Sequence, residues 1–286
     1  MDILFAILSA VLFGTMAVAI RVGLRRADPE SGAIVMTAIA FLIAVVTALL
    51  FADFGATQGL WRFVVAGAIA PGASQILYVS AIRDAGASRT GIIVGTAPVL
   101  AALLAIALLD ERLPLGLALA TALIVIGTMV LAWEPGRPVA FRPIGLVYAG
   151  LCSILFGLVA IAMRWAASGS DVSPALAGAV TLGTGLVVTS ILAALLGRRV
   201  QVAQLPALAR AFLPAGFMCG SSYMLLLEAY ERGRVTVVAP LSATESLWAV
   251  LGATVVLGRA ADAIGWRVVV AAVLIVAGGV LVGWMR

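Results

Sequence analysis

The 286-residue chain has no histidine, no lysine and no asparagine, and all eighteen of its basic residues are arginine. Without an imidazole there is no Ser-His-Asp triad, no histidine metal site and no histidine proton relay. Cysteine is almost absent too. Cys152 and Cys219 are the two cysteines, and both fall inside apolar runs, which suits neither a disulfide framework nor a zinc site. Charge is scarce: 11% of residues are ionisable Asp, Glu or Arg, against about 25% in soluble domains. The net charge of +5 and pI near 10.0 would suit nucleic acid. The arginines, however, stand singly or in pairs near the ends of apolar runs, as membrane anchors do, and a nucleic-acid partner is set aside. No ATP-binding or cofactor motif is present, so any transport would draw on a gradient, protons being one candidate.

What fills the chain is apolar side chains, 64% by count, with a mean hydropathy of +1.20. A helix crosses the hydrocarbon of a bilayer with about 20 such residues. Ten runs qualify as predicted spans: 3–22, 31–52, 62–82, 89–109, 114–133, 143–165, 174–196, 211–231, 236–257 and 264–285. The expected fold is an all-α, multi-pass membrane protein with short loops, its function built inside the bilayer. The first run ends near Ala17-Val18-Ala19, which could pass for a signal-peptide cleavage site. The Met1-Asp2 start lacks the required positive charge, so the run reads as a retained helix.

The runs repeat. Leu12–Arg21 reads LFGTMAVAIR and Leu155–Arg164 reads LFGLVAIAMR, an offset of 143 residues. Ser74, Leu77 and Ala81 return as Ser222, Leu225 and Ala229, and Thr96-Ala97-Pro98 returns as Thr244-Glu245-Ser246, both at an offset of 148. Each half closes on a glycine-containing helix that ends in tryptophan: IGTMVLAW at 126–133 and AGGVLVGW at 277–284. The chain is read as a duplicated five-helix unit, 1–134 and 143–286. Because five is odd, the second copy enters the membrane from the opposite side. The halves then form an inverted pair about an axis in the membrane plane, a plan of secondary transporters with the site near the midplane.

The FG…R ending of each first helix, DERLPLGLALATALIVIGTMVL at 110–131 and APLSATESLWAV at 239–250 resemble the EamA family of the drug/metabolite transporter superfamily. The resemblance spans the chain as two tandem units. It implies export or exchange of small metabolites, including aromatic amino acids, across a bacterial inner membrane. It also implies both termini in the cytoplasm.

Polar and aromatic side chains within apolar helices usually face the bundle interior or a watery cavity. The third segment offers Gln75 and Tyr78, which share a face, just after Pro71-Gly72. The fourth offers Thr96. The eighth offers Tyr223, and the ninth Thr244, Glu245 and Trp248, with Glu245 expected near the middle of a continuous helix. Trp165, after Arg164, reads either as a site residue or as an anchor. These eight are the candidate substrate-binding residues. Serine and threonine hydroxyls have a competing role, bonding the backbone one turn back. Arg21 and Arg164 read as snorkelling anchors. Gly91…Gly95 and Gly279…Gly283 have the spacing for close helix approach, within the bundle or in a weak dimer.

The expected function is therefore a secondary transporter that exports small amphipathic metabolites, amino acids first among them, by alternating access. It needs no cofactor and no metal, and it acts as a monomer or weak dimer. A phosphate-ester or nucleotide-sugar exchanger of the same superfamily would need cationic clamps at the midplane, and the arginines lie near helix ends. An intramembrane protease or lipid transferase would need a catalytic pair, which is hard to assemble around Glu245 alone. For orientation, external termini would put twelve of the eighteen arginines on the inward side, as the positive-inside rule favours. That count opposes the cytoplasmic termini implied by the resemblance. On the charge count, a C-terminal fluorescent-protein fusion should be dark. A fusion that glows in the cytoplasm decides for the resemblance.

Overall fold

The computed structural model describes residues 1–23, 29–85, 93–109, 114–132, 143–197, 204–245, 247–248, 251–252, 255 and 266–284. Among these residues the protein is helical and without strands. In chain order the helices are α1 (Asp2–Gly23), α2 (Pro29–Phe51), α3 (Leu60–Gly67), α4 (Ser74–Ala85), α5 (Ala97–Leu109) and α6 (Leu115–Ala132). They continue with α7 (Ile144–Ser168), α8 (Pro174–Leu195), α9 (Leu205–Arg232), α10 (Val235–Ser242) and α11 (Trp266–Trp284). Local chemistry sets several ends. Pro174, whose missing N–H costs nothing in a first turn, opens α8. Gly197, at φ +73°, takes the left-handed position just past its end.

Among the described residues six stretches are long and apolar enough to cross a membrane: Asp2–Ile20, Glu30–Phe51, Leu60–Tyr78, Ile144–Ser168, Pro174–Leu195 and Leu205–Arg232. Ala97–Leu109, Leu115–Val130 and Val269–Val282 are apolar but shorter. The third expected segment is not one straight rod. A wide π turn, Ala68–Ala73, joins α3 to α4, with Ala70 extended at φ −146° and ψ 131°. Pro71 has no N–H to give the helix. The hydroxyl of Thr189, on α8, donates to the Gly72 carbonyl at 3.1 Å, satisfying an oxygen inside the turn.

The two halves are interleaved. The first segment of each half (α1 or α7) lies on the third and fourth segments of the other, and the two second segments, α2 and α8, lie on each other and on the other half's third. The two fifth segments, α6 and α11, pair together, and α5 meets α10. Exchanging the halves leaves this pattern unchanged. α1 runs antiparallel to α9, since Asp2 lies against Gly233, Ser9 against Ser222 and Gly23 against Phe212.

The symmetry reaches single atoms. The Ser9 and Ser222 hydroxyls are 2.8 Å apart, and each also donates to the other's carbonyl at 3.0 Å. Their counterparts at the repeat offsets are Cys152 and Ser74, where the Cys152 thiol donates to the Ser74 carbonyl at 3.7 Å. At the α6–α11 crossing, a methyl built on Gly127 would fall 2.7 Å from Ile275 Cγ1 and 3.0 Å from the Ala271 carbonyl. One on Gly278 would fall 2.6 Å from Ile124 Cγ1 and 2.7 Å from the Ala120 carbonyl. Gly127, Ile124 and Ala120 of the first half each lie 151 residues before Gly278, Ile275 and Ala271 of the second. Glycine lets these two backbones touch. The glycines that do so are Gly127 and Gly278. Gly279 has more room, with Leu241 3.9 Å from an added methyl. Gly91 falls outside the described residues, as do the surroundings of Gly283.

Candidate functional site

Where the halves cross, α1, α4, α5, α7 and α9 surround a cavity together with the end of α10, and α6 closes it at Thr128. The cavity has a volume of about 190 Å³. Repeat-related positions supply much of the wall. Val94, Gly95 and Ala97 from the first half answer Ser242, Ala243 and Glu245 from the second, and Phe13 answers Phe156.

Both fourth segments are broken here. At Gly95–Thr96 and again at Ala243–Thr244 the chain makes a turn instead of continuing as a helix. The causes match bond for bond. The Thr96 N–H and hydroxyl both donate to the Ile93 carbonyl, at 3.1 and 2.7 Å. The Thr244 N–H and hydroxyl donate to the Leu241 carbonyl at the same two distances. Each carbonyl that a regular helix would offer to the next residue's N–H is thus already taken. Glu245 consequently stands just past a turn, where a continuous helix was expected, and its carboxylate borders the cavity. A carboxylate in the first turn of a helix is also favoured by the helix dipole.

Aromatic rings make the apolar wall. Phe13 and Tyr223 stand 5.9 Å apart between centroids, tilted by 48°. Phe156 and Tyr78 stand 6.2 Å apart, tilted by 39°. Tyr230 and Met163 complete this side. Arg164 acts from outside: its guanidinium donates to the carbonyls of Tyr230 and Glu231 at 2.8 and 2.9 Å. It caps the last turn of α9, a favourable place for a cation, and so does more than snorkel.

Of the eight candidate residues, Tyr78, Tyr223 and Glu245 line the cavity. Thr96 and Thr244 build the two turns behind it, and the Thr96 hydroxyl also lies 3.0 Å from that of Ser153. Gln75 and Trp248 are half-buried and lie outside the lining. Trp165 belongs to a separate cluster at the ends of α3 and α7. Its ring meets Trp61 edge-on at 5.2 Å, and the Arg62 guanidinium sits 4.8 Å from the ring while donating to the Trp165 carbonyl at 3.2 Å. Lining residues outside the eight include Ser9, Phe13, Thr128, Phe156, Met163 and Tyr230. Phe13 and Phe156 were in plain view, as the second letters of the repeated LFG phrase.

A family model described as the EamA-like transporter family matches residues 1–133 and again 143–284, one copy to each half. The fold is similar to that of a solved crystal structure with a TM-score of 0.82 and 19% sequence identity, over 99% of this chain and 96% of that one. At that identity the likeness concerns the fold. No curated protein matches the chain significantly.

Proposed function

The chain belongs to the EamA-like transporter family of the drug/metabolite transporter superfamily, a family of membrane transporters and not enzymes, and from that premise we propose that it is a secondary transporter exporting small amphipathic metabolites by alternating access. Amino acids, aromatic ones included, are the first class to test, and the membrane is the bacterial inner membrane. The observation that carries this reading is the position of the cavity. It lies on the crossing of two repeats whose contacts are interchangeable, so a site there can be exposed by rocking either half against the other. The broken fourth segments and the wide turn at Ala68–Ala73 sit beside it, where irregular backbone can hinge. Rings receive an apolar body and Glu245 receives an amino group. The ten-span, inverted arrangement of the two halves is part of the proposal.

Counterflow tests it. Proteoliposomes preloaded with an unlabelled amphipathic amino acid should take up the labelled compound faster than empty ones, and the compound should emerge unchanged. No acceleration across a panel of amino acids and related amines would reject the reading. Tyr78→Ala removes a ring from the cavity wall and should cut counterflow by about tenfold, since an aromatic contact with a substrate's apolar body and its burial are worth about 1–3 kcal/mol. Detergent melting should stay near wild type. Loss of folded protein without a specific transport defect would assign Tyr78 to packing.

A further inference from the structure

The polar groups of the cavity are not shared equally between its symmetry-related walls. Glu245 stands where the first half has Ala97, and Thr128 stands where the second half has Gly279. Thr128 is 3% exposed, it lines the cavity, and its hydroxyl has no hydrogen-bond partner among the described residues. Ser74 and Thr181 also lack one, but Thr128 is the one such hydroxyl-bearing residue of the described residues that lines the cavity. Thr37, Thr47 and Thr121, on similar helices, bond the carbonyl four residues back. Thr128 leaves its hydroxyl for something that enters the cavity.

Charge accounting narrows what that is. Among the described residues that line the cavity, Glu245 is the one ionic side chain and no arginine is present. The first turn of α5 offers a substrate carboxylate at most the uncharged Ala97 N–H, because Pro98 has no N–H and the amides of Val99 and Leu100 both donate to the Thr96 carbonyl. A zwitterionic amino acid would therefore find a counter-charge for its ammonium group and none for its carboxylate. An uncompensated ion in a low-dielectric site is costly. An ammonium group alone meets Glu245 and the faces of the surrounding rings, which attract cations.

Resting on the transporter reading above, we propose that the cavity selects small amines with an apolar or aromatic body and a neutral second polar group, such as an amide or a hydroxyl. The amine pairs with Glu245, and the Thr128 hydroxyl bonds the neutral group. Zwitterionic amino acids of the same shape bind less tightly.

Titration calorimetry on the purified full-length protein decides this with four probes: phenylalaninamide, phenethylamine, phenylalanine and phenylpropionate. Phenylalaninamide should bind about tenfold or more tighter than phenylalanine, and phenylpropionate should bind least. Thr128→Val, close in shape, should weaken phenylalaninamide about fivefold and phenethylamine less, and Thr128→Ser should restore the difference. If Thr128→Val does not fold, the wild-type ranking still decides the charge preference. Phenylalanine binding as tightly as its amide overturns the proposal and leaves the transporter reading standing. Phenylalanine counterflow in proteoliposomes reads that separately. No binding by any probe to folded protein, with no counterflow, overturns both.

Discussion

Glu245→Gln should fold, insert and melt like the wild type and lose about thirtyfold or more of its counterflow, the scale set by removing one partner of a desolvated charge pair. Glutamine keeps the size and hydrogen-bonding reach of the side chain and removes the charge. The expectation rests on place. Glu245 is just past the Thr244 turn, at the cavity wall, among rings and hydroxyls, with no other acid lining the cavity among the described residues. Its helical position tolerates a carboxylate without requiring one, so the fold should not miss it. If Glu245 served only to hold neighbouring helices, the variant would melt earlier and any surviving folded protein would transport normally. Flux equal to wild type in folded Glu245→Gln protein removes the residue from the site.

The second large effect is on stability. Gly67→Ala should lower the melting temperature by about 5–10 °C, on the usual cost of overpacking and the size of the chain. A methyl on Gly67 would lie 2.3 Å from the Thr181 carbonyl oxygen and 2.9 Å from its carbon and Cα. All three are backbone atoms, so no side chain can swing away, and α3 must part from α8. Gly150, on α7, is the control, because nothing lies within 4 Å of a methyl there. Gly150→Ala should melt at or slightly above wild type, alanine being the better helix former. Equal melting of Gly67→Ala and wild type would mean that the two helices are not in backbone contact.

The repeat was legible because it is written in identities at fixed offsets. The 143-residue and 148-residue spacings relate the contacts of one interface to those of the other, so that Ser9 with Ser222 is matched by Cys152 with Ser74. Depth and polarity pointed to Tyr78, Tyr223 and Glu245, and all three border the cavity. Rotation about each helix was not legible. Gln75 is three residues from Tyr78 and yet outside the lining, and Trp165 faces Arg62 and Trp61. Phe13 and Phe156 are marked by the repeated LFG phrase but not as cavity residues, since in an apolar helix a ring facing lipid and a ring facing a cavity read alike. The breaks at Thr96 and Thr244 are hidden for a related reason. The apolar run continues through them, and one hydroxyl on one carbonyl ends the helix. Thr128 shares its letter with threonines that bond their own backbone. Only its geometry separates it from them.

The exchange of Ala97 for Glu245 between otherwise matching walls also has an ancestral consequence. Two copies of the first half, assembled about the same axis, would build a cavity with an alanine at both positions and nothing to hold a cation. Two copies of the second half would set two carboxylates across one small cavity, where like charges oppose each other. Fusion into one chain removes that constraint, because each copy can mutate without changing its mirror image. Among the described residues that line the cavity, the protein thereby holds a single acidic side chain in a two-fold frame. A substrate can then arrive with a head and a tail, a direction that no pair of identical subunits in that frame could give it.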